Sequence, residues 1–183
     1  MSSELDRFRR VADDFTRVVE AVPPERWDDP APPEGWRARD VVGHLVDWFS
    51  GLFLDTWGVA RPAFPSVEDD PVGAWRALRD AFETALADPA VASEVRDIPP
   101  GPMTFAAAVD QLGTSDLVMH QWDLARATGG DERLDPDEVH ALLVGMEPID
   151  EILRASGHYG PRVDVPADAD EQTRLIAFIG RQP

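Results

Sequence analysis

The sequence predicts an all-α fold, a bundle of five or six helices. Apolar residues recur at spacings of three and four along most of the chain, and little of it alternates with the period of a strand. Clusters of Pro and Gly separate the periodic segments, where neither residue continues a helix. At 183 residues the chain is expected to form a single domain, residues 1–183, around one core.

The first helix is SELDRFRRVADDFTRVVEAV, where Leu5, Phe8, Val11, Phe15, Val18 and Val19 form an amphipathic stripe that ends at Pro23 and Pro24. The loop PPERWDDPAPPEGW follows, tethered by Trp27 and Trp36 packing back onto the core. A second helix begins at Arg37. Val41, Leu45, Trp48 and Leu52 line one side of it and Val42, Val46, Phe49 and Phe53 the next, a surface broad enough to need several neighbours.

Acidic residues before Pro71 mark the start of a third helix with Trp75, Leu78, Phe82 and Leu86 inward, and Pro89 follows its end. The stretch SEVRDIPPGPMTF reads equally as a short strand or an irregular crossing. Thr104 then caps a long fourth helix running to about Ala127 and closed by Gly129 and Gly130. A fifth starts near Asp135 and Pro136 and includes Val139, Leu142, Leu143, Met146, Ile149 and Ile152; the tail ends in a short apolar helix. The proline-rich loops between the first three helices allow a long crossover in place of simple up-and-down order.

Composition removes several classes of function. Seventeen basic against thirty-five acidic residues leave a net charge of −18, which repels nucleic acid and anionic lipid. All the basic residues are Arg; without Lys there is no Schiff base and no phosphate loop of the Walker type. Without Cys there is no disulfide, no thiolate nucleophile and no cysteine-ligated metal, so any thiol chemistry needs a thiol from a cosubstrate. No apolar run approaches the roughly 18 residues of a membrane span, and the start MSSELDRFRR lacks a secretion signal, so a cytoplasmic location is expected.

The fourth helix carries Asp116, His120 and Asp123 at intervals of four and three in SDLVMHQWDLARATGG. On an α-helix these fall within roughly 60° of one another, beside apolar surface from Leu117, Met119 and Leu124. VVGHLVDW in the second helix repeats the element, with His44 among apolar residues and Asp47 three positions later. A metal-bound His usually donates its other ring N–H to a carboxylate, a role open to Asp47 and Asp123. On this reading His44, Asp116 and His120 are two nitrogen ligands and one oxygen ligand of a divalent metal, leaving a position for water or substrate. The same spacings also fit an ordinary buried hydrogen-bonded pair and a core histidine bonded to a carbonyl.

The remaining polar residues read more simply. His140 fits a solvated or capping role and His158, in SGHYG, a turn. Ser50 and Ser115 lack a nucleophile elbow. Trp48 and Trp122, beside the histidines, are placed to wall a pocket. Arg126, one turn after Asp123, fits a partner for that aspartate, an exposed charge or a clamp for a substrate carboxylate.

WRARDVVGHLVDW, HQWDLARATG and the closing LIAFIGRQP, in that order and over nearly the whole chain, resemble the DinB/YfiT-like superfamily. Within it the resemblance is to the metal-binding domain of mycothiol-dependent maleylpyruvate isomerases and related short actinobacterial proteins. It implies a DinB-like four-helix-bundle core with extra short helices, and a divalent metal, usually zinc or nickel, held by three side chains at one end. His44 and His120 match the two histidines of the motif. The ligand one turn before the second is commonly Glu, and here is Asp116; its shorter reach implies a small helix shift or a bridging water.

The isomerases also carry a C-terminal domain that this chain is expected to lack, so maleylpyruvate isomerisation itself is not carried over. The resemblance implies a metal-dependent enzyme of thiol transfer or thiol-assisted isomerisation on a small electrophile, with mycothiol or another low-molecular-weight thiol as cosubstrate. A homodimer is a family-level expectation. The alternative is a non-catalytic bundle that binds a metal or small ligand, its polar stripe a buried network.

Overall fold

Leu5, Phe8, Val11, Phe15 and Val19 line one face of α1 (Ser3–Ala21) and are all buried, as the periodicity predicts. The structure, a computed structural model, describes residues 3–183. α2 (Ala38–Phe49) continues without a break into a π turn, Ser50–Asp55. α3 (Pro71–Ala87) starts at Asp70, whose side chain accepts from the Gly73 N–H at 2.8 Å. A short helix, α4 (Pro89–Ala92), follows directly.

The undecided stretch after α4 is a hairpin, β1 (Val95–Ile98) paired antiparallel with β2 (Gly101–Thr104), with Val95 opposite Thr104 and Ile98 opposite Gly101. Its pattern is faint in sequence because only Ile98 of the two strands is buried. The Thr104 hydroxyl then accepts from the Ala107 N–H at 3.1 Å and caps the next helix. That helix covers the expected span but is not uniformly α. α5 (Phe105–Ala108) passes through a π turn, Val109–Thr114, into α6 (Ser115–Thr128), which Gly129 ends at a φ of 68°.

α7 (Pro136–Met146), capped by Asp135, is shorter than its apolar pattern suggests. Pro148 lies in a 3-10 turn, Glu147–Ile149, that separates it from α8 (Asp150–Ala155). A proline lacks the N–H to continue an α-helical ladder. Ile149 and Ile152, expected on the inward stripe, are therefore 42% and 68% exposed. The apolar helix of the tail is α9 (Glu171–Phe178), packed on α7.

α1 packs against α3 and α6, and α2 packs against the same two. Consecutive helices α1 and α2 thus lie on a diagonal of a four-helix core, joined by the proline-rich crossover. At the centre Phe82 meets Phe8, Phe49, Phe53 and Phe105 with ring centroids 5.1–5.9 Å apart. Each such fully buried ring contributes roughly 1.5–3 kcal/mol. Trp48 lies edge-on to Phe49 and Phe53, 5.4 Å from each, and joins this cluster to the polar stripe. Among the described residues no helix is long and apolar enough to cross a membrane.

Candidate metal centre

The packing of α2 against α6 brings the two His-x-x-Asp elements face to face. His44 is half-buried on α2, and Asp116 and His120 lie one turn apart on α6. The Asp116 Oδ2 atom stands 3.4 Å from His44 Nε2 and 3.6 Å from His120 Nε2. Two atoms each about 2.1 Å from one ion at the tetrahedral angle are ~3.4 Å apart, so these separations suit three ligands of a single metal. Among the described residues this is the one group of three or more His, Asp or Glu whose ligand atoms converge, all within 4.8 Å of one another.

The Asp116 Oδ2 atom is buried and accepts no hydrogen bond. An unsatisfied buried carboxylate oxygen is costly, and a cation between it and the two imidazoles would remove the deficit. The donor set of two nitrogens and one oxygen suits zinc and its neighbours. Asp116, though shorter than the usual Glu, brings its oxygen directly to both histidines.

His120 is fixed from behind. Its Nδ1 lies 3.0 Å from Asp123 Oδ2, and the fully buried Asp123 receives Arg181 Nε at 2.9 Å on Oδ1 and Arg181 Nη2 at 3.2 Å on Oδ2. An ionised carboxylate only accepts, so Nδ1 carries a proton in either charge state, and the neutral ring has its Nε2 lone pair on the Asp116 side. Burial alone would raise the Asp123 carboxyl, but His120 and Arg181 together hold it below the usual range. Burial also works against a charged His120, yet the charge of Asp116 and the bond to Asp123 raise its pKa above the ordinary imidazole value.

Asp47 does not mirror Asp123. It is exposed, lines an open cleft of about 540 Å³ and makes no hydrogen bond to His44, so it does not orient that ring as expected. α2 turns that side to solvent, where water satisfies the carboxylate, whereas Asp123 lies on a helix face buried against the C-terminal segment. The cleft is lined by Trp36, Asp40, Gly43, His44, Asp47 and Trp48.

Trp36, packed against the core as expected, also lies over the histidines: its ring centroid is 5.1 Å from His44 and, nearly parallel, 5.8 Å from His120. Trp48 stacks on His44 at 5.9 Å and lines the cleft, as a pocket wall should. Trp122 is buried in place of lining the cleft and carries Arg126 over its ring at 4.8 Å. Arg126 pairs with Glu132 at 3.3 Å and not with Asp123. His140 is an exposed partner of Glu171 at 3.0 Å, and His158 lies in an exposed turn.

Two contributors from the C-terminal part, Gly180 and Arg181, lie in the closing run LIAFIGRQP, but no spacing in the sequence assigned them a role. Arg181 is 58 residues from the aspartate it holds. Gly180, with φ 85°, turns the chain after α9, and a Cβ there would stand 3.1 Å from Gly160 and the Pro161 carbonyl. Tyr159 belongs to that contacting loop; burial, then the charge of Asp116, push its hydroxyl up to about 12. Arg154 ties the loop to α9 by hydrogen bonds to the Gly160 and Phe178 carbonyls.

Residues 8–125 match the family described as mycothiol maleylpyruvate isomerase N-terminal domain, a stretch that contains His44, Asp116, His120 and Asp123. Two uncharacterized proteins of Mycobacterium tuberculosis, one from strain CDC 1551 / Oshkosh and one from strain ATCC 25618 / H37Rv, are each 26% identical over 179 residues, covering 97% of both chains. No solved structure matches.

Proposed function

Since the chain belongs to the mycothiol maleylpyruvate isomerase N-terminal domain family of the DinB-like superfamily, we propose that it is a metal-dependent enzyme transferring a low-molecular-weight thiol to a small electrophile, or isomerising that electrophile with the thiol's help. The observation that carries the reading is the unpartnered Asp116 oxygen set between two imidazole Nε2 atoms. His44, Asp116 and His120 would hold the divalent ion, zinc before nickel. A bound ion of this kind lowers the pKa of a coordinated thiol and makes a thiolate available near neutral pH.

The chain's own groups have defined tasks in this scheme. Asp123, itself held by Arg181, keeps the His120 proton on Nδ1 and the ring in one orientation. Trp36 and Trp48 both pack against the His44 ring and restrict its access to water. The cleft beyond His44 admits a small molecule from solvent. With no Cys in the chain, the sulfur must come from the cosubstrate, mycothiol or a related bacterial thiol.

The test is metal analysis of protein purified without an affinity tag, for the wild type and for His44→Ala. About one divalent ion per chain in the first and a large loss in the second is expected; metal absent from both sinks the proposal. A thiol-consumption assay with several bacterial thiols and small electrophiles then separates the enzyme from a non-catalytic metal-binding module. Turnover that requires metal supports the enzyme.

A further inference from the structure

We propose that the π turn Val109–Thr114 sets the register and spacing of the metal ligands, with Gly113 as the positioning residue; the inference rests on the metal reading above. A π turn takes up about one residue more than an α turn, and one extra residue rotates all that follows by about 100°. The turn lies directly before α6. Carried on from Thr104 as uninterrupted α-helix, Asp116 and His120 would face away from α2 by that angle. Their approach to His44 therefore depends on the turn, and not only on their own four-residue spacing.

The turn is held from two sides. Inside it, the fully buried Thr114 hydroxyl donates to the Val109 carbonyl, five residues back, at 3.1 Å. Across the seam, a Cβ on Gly113 would stand 3.2 and 3.3 Å from Cε1 and Cζ of Phe49 and 3.3 Å from Cε2 of Phe53. Ordinary carbon contacts lie at about 3.5–4.0 Å, so only glycine fits without displacement. Neither ring has room to retreat: both are fully buried, 5.1 and 5.7 Å from Phe82 between centroids. A methyl group at this point would push the start of α6 away from α2.

The displacement would reach the ligands directly. Gly113 lies three residues before Asp116 and Phe49 five after His44, so this contact and the 3.4 Å approach of His44 to Asp116 belong to the same α2–α6 seam. Alanine is the better helix former, so local propensity alone predicts no harm from the substitution. Its effect is on the site.

Cobalt(II) titration followed by ligand-field absorption tests this, alongside circular dichroism and melting of the metal-free protein. Gly113→Ala is expected to keep its helical content and to bind cobalt about tenfold or more weakly, the scale on which supporting groups act on metal sites, with an altered spectrum. Adding Phe49→Leu, which removes two of the three crowding ring atoms, is expected to restore affinity. Wild-type affinity and spectrum in Gly113→Ala would overturn the inference. If Gly113→Ala does not fold, Thr114→Val, which keeps the shape and loses the bond to Val109, is read by the same criteria. A wild type that binds no cobalt sinks the metal reading itself, whereas binding by the wild type and equally by the variant sinks only the role of the turn.

Discussion

Replacing Arg181 with Met removes the guanidinium that holds Asp123 and leaves a fully buried carboxylate with His120 as its hydrogen-bond partner. Breaking a buried ion pair from one side costs about 3–5 kcal/mol. The Arg181 side chain is 20% exposed and His120 still donates, so the loss falls to or below the lower limit of that range, about 2–3 kcal/mol. For a chain of this size each kcal/mol lowers Tm by roughly 2–4 °C, which gives a fall of about 4–12 °C in the metal-free protein. Melting curves measure it directly. The double variant Arg181→Met, Asp123→Asn should melt well above the sum of the two single losses, because no buried charge is then left alone. An unchanged Tm in Arg181→Met, or strict additivity in the double variant, would refute the argument that the C-terminal segment secures the site through this pair.

Asp116→Asn should act in opposite directions on binding and stability: metal affinity falls steeply, while at a pH above the raised His120 pKa, where that ring is neutral, the metal-free protein melts no lower than the wild type, because a buried unsatisfied charge has been removed. A marked loss of metal-free stability would show that Asp116 is a structural partner and not a held-open ligand. The pH dependence follows from His120, whose folded pKa is raised above its ordinary 6.5. Its contribution to metal-free stability is fully present below that ordinary value and is lost as pH rises through the folded one. Metal must displace the same proton, so affinity should begin to weaken above pH 6.5 as pH is lowered; zinc titrations across this range would contradict the argument if affinity stayed flat down to pH 6, an interval of about half a unit below the reference imidazole value.

The helices and the convergence of His44, Asp116 and His120 were legible because one periodicity governs both. A 3.6-residue repeat that buries Leu117 and Leu124 also puts Asp116 and His120 on a common face. The same repeat misled at Asp47, since spacing does not tell whether a helix face meets protein or water. Arg181 and Trp36 reach the site only through the fold, one from the C-terminal end and one from the crossover loop; both lie in the runs that carry the resemblance, but no periodicity points either of them at the histidines. The π turns were hidden for a related reason: one extra residue shifts the apolar face by about 100°, which an apolar surface as broad as that of α2 absorbs, and Gly113 alone betrays the close approach. The end of α7 was different, for Pro148 marks it in sequence and the apolar stripe through Ile149 and Ile152 outweighed it.

X-ray absorption at the metal edge of zinc-loaded protein tests the central claim most directly. Two imidazole nitrogens and carboxylate oxygen are expected at about 2.0–2.1 Å, with a remaining position filled by an exchangeable water that added thiol replaces with sulfur at about 2.3 Å. A spectrum without imidazole scattering, or one that an excess of thiol leaves unchanged, would contradict it.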